Sequence, residues 1–274
     1  MTASAQAVDL QADTLTAWEH YLQLARQRSV ARIAPNGQFL WLDEEPGRAE
    51  RLRKGEVATA PVAGSGSEEV AHGLIHDWIG AIFVPNVSLD QVLDLLDDFG
   101  SYKTIYGPQV VAAQLLGREN GEEQYSVKFV NRVLFVTSGI DIRCKSRTVR
   151  LDERRAYSNS ETIRVQEIKD YGKPSEQELT PDTGDGYIWR LTNIARYEER
   201  DGGVYIETET IGLTRDVPGA LTAFIMPVVR KLSRSSVAAT LEKTRNALRP
   251  MAAGSNALTS TGLGVAEIHA SAVR

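Results

Sequence analysis

Few side chains in this sequence are spaced to do chemistry. The histidines are His20, His72, His76 and His269. His72 and His76 would share one face of a strand, with Asp77 on the other. A zinc-type site needs a third or fourth ligand, and nothing in the sequence singles one out. Cys144 is the only cysteine, so an internal disulfide framework and a multi-cysteine metal site are excluded. It shares a strand face with Ile140 and Ile142, while Arg143 and Lys145 point the other way. That setting predicts an inert buried thiol rather than a thiolate nucleophile. Glu207 and Glu209 are paired carboxylates on one strand face. They are solvated unless that face is the concave one, where one carboxyl would have a raised pKa. Asn193 interrupts an apolar row of Trp189, Leu191, Ala195 and Tyr197. A buried amide needs a partner, which is protein, water or a ligand.

No nucleophile-elbow, zincin, Walker or dinucleotide-binding signature is present, and no cofactor is expected. GSGSEE (64–69) has glycines but no strand-to-helix setting to cradle a phosphate, so it reads as a linker. The chain has 274 residues, 42% hydrophobic and 24% charged, which suits an ordinary globular protein. A net charge of −5 argues against a nucleic-acid partner. No apolar run reaches membrane-spanning length, which leaves transient membrane contact open. Ala5-Gln6-Ala7 has the form of a signal-peptidase site without a charged start or apolar core before it. The expected compartment is therefore cytoplasmic, or periplasmic or secreted if residues 1–7 are a signal remnant. A monomer or weak dimer is expected.

The elements that must position these residues follow from spacing. Residues 1–12 read as a flexible tail. Residues 13–69 read as an extension: a helix over 13–34, the apolar run FLWL at 39–42, a charged helical piece at 47–54, and a linker at 57–69. A strand over 71–85 ends at proline. Ser88 and Gln91 form a capping box, with Val87 and Val92 as a hydrophobic staple. The helix stripe is Leu89, Val92, Leu93 and Leu96, and Gly100 is expected as a left-handed C-cap. A second short helix runs to Gly107-Pro108. Strands follow near 109–118, 122–135, 138–150, 155–169, 186–198 and 202–214, with a hairpin turn at Asp201-Gly202-Gly203. The polar loop 171–185 is expected to be mobile. A long helix covers 218–249, starting at Pro218 and kinked at Pro227. Residues 250–274 read as a flexible tail.

A strand, two short helices, six strands and one long helix suit a curved, seven-stranded antiparallel sheet wrapped around that helix, an α+β fold. Residues 70–249 resemble the helix-grip proteins of the START-like, or SRPBCC, superfamily, which includes polyketide cyclases and lipid-transfer domains. The stretches that carry the resemblance are VSLDQVLDLLDDFGSYKTIYGP, IWRLTNIARYEERDGGVYIETETIGLTRDVP and SSVAATLEKTRNALR. Bacterial members with a similar N-terminal extension are the ones it looks like. The resemblance implies a cavity between sheet and long helix, its mouth flanked by the broken helix pair. Phe99, Tyr102 and Tyr106 would then line the mouth or simply pack the pair onto the sheet. Trp189, Leu191 and Asn193 are expected to line the cavity from the sheet.

On the long helix, Leu232, Ser236 and Ala239 are expected to face the cavity. The small residues of SRSSVAAT (233–240) mean either close helix–sheet approach or a helix that stands off, and the second is the expectation. The implied function is noncatalytic binding or transfer of a hydrophobic, lipid-like molecule. A polyketide cyclase or aromatase activity and a protein-interaction role are the alternatives.

Overall fold

A computed structural model describes residues 8–133, 136–216 and 222–261. In chain order they form β1 (Val8–Asp9), α1 (Ala12–Ile33), a short 3-10 turn (Trp41–Glu44), α2 (Arg48–Arg53), β2 (Ala58–Pro61), β3 (Ser67–Val70) and β4 (Gly73–Pro85). Next come α3 (Leu89–Asp97), a 3-10 turn (Phe99–Ser101), α4 (Tyr102–Tyr106), β5 (Val110–Glu119), β6 (Glu122–Val133), β7 (Val136–Arg150) and β8 (Arg155–Lys169). The chain continues through β9 (Gln177–Glu178), β10 (Thr183–Gly184), β11 (Arg190–Arg200), β12 (Gly203–Arg215) and α5 (Thr222–Thr261).

The main sheet is antiparallel and ten-stranded, in the order β2-β4-β12-β11-β8-β7-β6-β5, with β3 added beside β4 and β9 beside β8. Its seven long strands are the expected ones. The supposed linker at 57–69 is not a linker, because β2 and β3 from it pair with β4. The polar loop 171–185 is likewise tied down: β9 pairs with β8, and β10 pairs with β1 from the supposed N-terminal tail.

Local signals hold where they are strong. Ser88 accepts from the Gln91 N–H at 3.3 Å and the Ser88 N–H donates to Gln91 at 2.9 Å, the reciprocal capping box. The Glu199 carboxylate accepts the Leu89 N–H at 2.6 Å, a second stabiliser of that terminus. Asp201 and Gly202 both have positive φ (56° and 78°), so β11 and β12 join through a two-residue turn whose twist matches the strands. Gly100 differs from expectation. Helix α3 stops at Asp98, the Ser101 hydroxyl donates to the Asp98 carboxylate, and Gly100 lies inside the following 3-10 turn without positive φ.

The two faces of the sheet carry separate cores. On the concave face, Trp78, Ile82, Val84, Tyr197, Val204 and Ile206 pack against Leu89, Val92 and Leu95 of α3 and Val237, Leu241 and Leu248 of α5. On the convex face, Trp18, Leu22 and Ala25 of α1 cover Ile75, Ile194, Ile211 and Leu213. Beside them Leu40, Trp41, Leu42 and Leu52 cover Ile79, Ala81, Phe83 and Tyr205. The N-terminal extension is thus the lid of the convex core.

Helix α5 packs chiefly on β4 and β2, with lesser contact to β12. It comes closest at Gly80, where an added Cβ would lie 2.8 Å from Val237 and 2.9 Å from Leu241. The stripe that meets the sheet is Val237, Leu241, Thr244 and Leu248. Leu232 is 61% exposed, and Ser236 and Ala239 are also exposed, so the expected cavity stripe faces away from the packed side. The helix runs through Pro227 and past residue 249 to Thr261, where a tail was expected. The expected start at Pro218, the Ala5-Gln6-Ala7 pattern and residues 262–274 lie outside the described residues.

The close approach at Gly80 has a direct test. Gly80→Ala should lower stability by about 1–3 kcal/mol through overpacking, read as a shift in the urea midpoint at unchanged slope. Ala239→Trp, on the outer side of the same helix, should leave the midpoint nearly unmoved.

Candidate functional site

Directly paired residues of antiparallel strands share a face, so the registers map the concave floor. One row runs Trp78, Thr210, Asn193, Ser160, Ser146 from β4 to β7. The next runs Gly80, Thr208, Ala195, Ser158, Thr148. On the other side Gly212 stands opposite Leu191, and Cys144 lies between Thr162 and Tyr125. The centre of the floor therefore carries glycine, alanine, serine and threonine, where flanking positions carry Trp78, Ile82, Tyr197, Tyr125 and Phe129. Short side chains leave depth. Ser158, Ser160, Leu191, Asn193, Thr208 and Thr210 are all half-buried, so solvent reaches them although they lie on the face that carries a core.

The floor is polar and neutral. The Ser158 and Tyr197 hydroxyls are 3.0 Å apart and those of Ser160 and Tyr125 are 2.6 Å apart. The Thr210 hydroxyl donates to Asn193 Oδ1 at 2.9 Å, which leaves the Asn193 amide hydrogens for another acceptor. Burial pushes the Cys144 thiol up to about 11 and the Tyr197 phenol up to about 12, and pushes Tyr125 up as well. Cys144 packs with Ile140, Ile142 and Val165, which agrees with an inert thiol.

One end of the floor is closed by the broken helix pair. Phe99 stacks on Tyr125 with centroids 4.6 Å apart, Tyr102 lies 5.2 Å from Phe99, and Tyr106 meets Tyr102 edge-on at 5.1 Å. The Tyr102 hydroxyl donates to the Leu96 carbonyl at 2.6 Å, and the Tyr106 and Thr244 hydroxyls are 3.0 Å apart. Lys243 of α5 donates to the Tyr106 and Gly107 carbonyls at 3.1 and 3.0 Å. The three aromatics thus bind α4 to β6 and α5, and the chain they form begins at the floor residue Tyr125.

Several expected site residues lie elsewhere. Trp189 is 2% exposed and packs with Trp18 and Leu22 in the convex core. It precedes β11, which begins at Arg190, so strand alternation does not reach it. Leu232, Ser236 and Ala239 are on the outside of α5, as described. His72 is not on a strand: it occupies a turn with φ 51° and its ring is 3.6 Å from Asp13. His76 is buried on β4, 3.3 Å from Ser67 and 3.2 Å from Thr214, and burial pushes its imidazole down to about 4. Among the described residues no group of three or more His, Cys, Asp or Glu side chains could hold a metal ion.

Two carboxyls pushed well up, Asp77 and Glu207, lie on the convex face under the extension; a third, Glu167, is raised by burial, stands opposite Ile140 on β8 and accepts the Asp185, Gly186 and Tyr187 N–H groups. Arg196 and Glu207 pair at 3.3 Å with both side chains fully buried. The Leu42 N–H donates to Glu207 at 3.2 Å and Arg196 donates to Ser29 of α1 at 3.1 Å. Arg28 of α1 reaches Asp77 and Glu209, each at 3.0 Å, and the Tyr21 hydroxyl donates to Asp77 at 2.8 Å. Burial pushes the Glu207 carboxyl up to about 7 against the pull of Arg196. Burial and the neighbouring Glu209 push Asp77 up to about 7, and its Oδ1 is buried without a hydrogen-bond partner. The Glu207–Glu209 face was expected to be solvated unless concave. It is convex and buried, because the extension covers it.

No family model matches the sequence, and no curated protein matches it. Solved structures do. A STAR-related lipid transfer protein fragment from Xanthomonas axonopodis matches at 16% identity and TM-score 0.43, over 70% of this chain and 98% of that one. Human STARD10 matches at 10% identity and TM-score 0.45, over 80% and 84% of the two chains. The Zhui aromatase/cyclase from Streptomyces matches at 15% identity and TM-score 0.38, over 66% and 98%. The order of elements, a long antiparallel sheet with a broken helix pair after its first long strand and a long helix after its last, is the helix-grip order expected from the sequence.

The buried carboxyls make a pH prediction. Asp77 and Glu207 have folded-state values above their unfolded ones, so the stability they contribute is present below the unfolded values and is lost as pH rises through about 7. His76 acts oppositely, since its value falls from 6.5 to about 4 and its contribution is lost as pH falls through about 4. Between about pH 5 and 7 the single histidine opposes the two carboxyls, and above about 7 neither contributes a slope. Melting temperature should fall from about pH 5 to about 7 and level off above, and Asp77→Asn should make that fall shallower.

Proposed function

We propose that the hollow over the floor of β12, β11, β8 and β7 binds a hydrophobic small molecule, lipid-like in its apolar body, without reacting with it. The observation that supports this reading is the row of short, half-buried side chains between aromatic walls on the concave face. Burial of an apolar body against Leu191, Tyr125 and Phe129 supplies the driving force. The Asn193 amide and the floor hydroxyls would orient a neutral oxygen on the ligand. None of the floor residues named above carries a charge to pair with an anion.

A cyclase or aromatase activity would need an ionisable group poised on this face. Asp77 and Glu207 are on the other face, Glu167 is held by three backbone N–H groups, and His76 is enclosed between Ser67 and Thr214. The phenols of Tyr125 and Tyr197 are each held to a serine. Binding or transfer is therefore the better-supported reading, and the enzyme and protein-partner readings come after it.

Native mass spectrometry of protein from its own host, together with titration by Nile red, a neutral apolar dye, tests the proposal. Dye uptake is expected. Thr208→Phe should abolish it while the melting temperature holds or rises, because the ring fills open volume. Asn193→Leu should weaken a carbonyl-bearing ligand by about 1–3 kcal/mol. A parent protein that takes up no dye, or a Thr208→Phe variant that loses stability instead of binding, refutes the hollow.

A further inference from the structure

The convex face is covered by the extension over β4, β12 and β11, and the extension reaches β8 through Arg26–Glu161 and Phe39–Arg155. The part beyond, over β7, β6 and the far half of β8, carries a stripe of cations. Arg143, Lys145 and Arg147 alternate along β7, all exposed, and make no ion pair among the described residues. Alternate residues of a strand point the same way about 6.7 Å apart, so three like charges stand in line. Arg164 lies directly across from Arg143 on β8 and, among the described residues, hydrogen-bonds to the neutral Gln166 alone. The nearby acids are engaged. Glu161 receives Arg26 at 2.9 Å and Asn159 at 3.1 Å, and Asp141 pairs with Lys128 at 4.0 Å. A groove of about 210 Å³ beside the stripe is lined by Lys145, Arg147, Tyr157 and Asn159 together with Glu122 and Glu161. In a chain of net charge −5 this is a local surplus of positive charge.

Two irregularities in the ladders bracket the stripe. The β5–β6 register shifts between Leu115 and Gly117, and the β7–β8 register shifts at Arg143/Cys144, where Ile163 is skipped. A bulge re-aims a side chain that would otherwise alternate inward. Here the two skipped residues, Leu116 and Ile163, are 44% and 48% exposed. Gly117 is level with Gln124, which is level with Lys145, so Leu116 lies two strands from the cations on one side and Ile163 on the adjacent strand on the other. Cations bracketed by protruding aliphatic side chains match an anionic membrane surface: charge at the headgroups, hydrocarbon just below. Single-stranded RNA would instead call for exposed rings to stack its bases, and Tyr157, level with Val149, is half-buried.

We propose that the outer convex face of β5 to β8 docks reversibly on an anionic phospholipid surface through Arg143, Lys145, Arg147 and Arg164, with Leu116 and Ile163 entering the interface. This face is on the opposite side of the sheet from the hollow, so the docking stands whether or not the hollow holds a ligand.

The test is co-flotation of the full chain with phosphatidylcholine vesicles that contain about 30% phosphatidylglycerol, against pure phosphatidylcholine. Binding should need the anionic lipid and weaken steeply between about 0.05 M and about 0.5 M salt. The triple reversal R143E/K145E/R147E should cost at least about 100-fold in apparent affinity, since each basic residue near the surface counts separately. The pair L116S/I163S should weaken binding without changing the salt dependence. All five side chains are exposed, and far-ultraviolet circular dichroism checks that the fold is kept. No binding to the anionic vesicles, equal binding to both vesicles, binding indifferent to the triple reversal, or a preference for single-stranded RNA at equal salt would each overturn the docking.

Discussion

The Arg196–Glu207 pair can exist only because the N-terminal extension excludes water from it. Two fully buried charges are expensive to desolvate, and their mutual attraction compensates only when the remaining polar atoms are satisfied. Ser29 and the Leu42 N–H come from the extension and make two such bonds, while the Arg196 Nε stays buried without a partner among the described residues. Arg28, the residue before Ser29 on α1, does the same for Asp77 and Glu209. Around this ionic layer Trp18, Leu22 and the 39–42 segment bury the apolar part of the convex face. Charged contacts of this kind fix how α1 is seated along the strands, where apolar contacts alone would tolerate sliding. The extension is part of the folding unit and not an appendage to it.

With its convex side anchored, the sheet can leave part of its concave side unfilled. Helix α5 lies over β4 and β2 and touches the sheet most closely at Gly80. The floor from β12 to β7 carries short hydroxyl-bearing residues that stay half-buried. The aromatic chain from Tyr125 through Phe99 and Tyr102 to Tyr106 closes one end, and Lys243 ties that end to the helix. The broken helix pair is thus an end wall, held as firmly to α5 as to the sheet.

What the sequence made legible was local. The capping box at Ser88, the turn at Asp201-Gly202 and the seven long strands each rest on signals within a few residues. The choice of face did not. Strands β11 and β12 are covered on both sides, so apolar and polar residues alternate without saying which set is inside. Glu207 and Glu209 therefore read as solvated, though they are buried beneath α1. Trp189 read as part of a strand row because alternation was extended one residue too far. On α5, small residues at Ser236 and Ala239 suggested space beneath them, but they lie on the outer side of the helix. β2 and β3 escaped notice because four-residue strands in a Gly- and Ser-rich stretch have no period to detect. Asn193 was placed on the concave floor by its row, and its free amide hydrogens were not readable without Thr210 opposite.

The position of β4 has a consequence for how the chain is made. It pairs along its whole length with β12, Gly73 opposite Arg215 and Pro85 opposite Gly203. A ribosome releases β4 early, with only β2 and β3 to cover one edge. The other edge, thirteen residues of mostly apolar strand, has to wait for the penultimate element of the chain to be translated. Pairing so distant in sequence is slow to form, and an open apolar strand held in waiting invites contact with other nascent chains. Yield in the cell should accordingly be governed by the interval between these two strands and by whatever shields the first of them meanwhile.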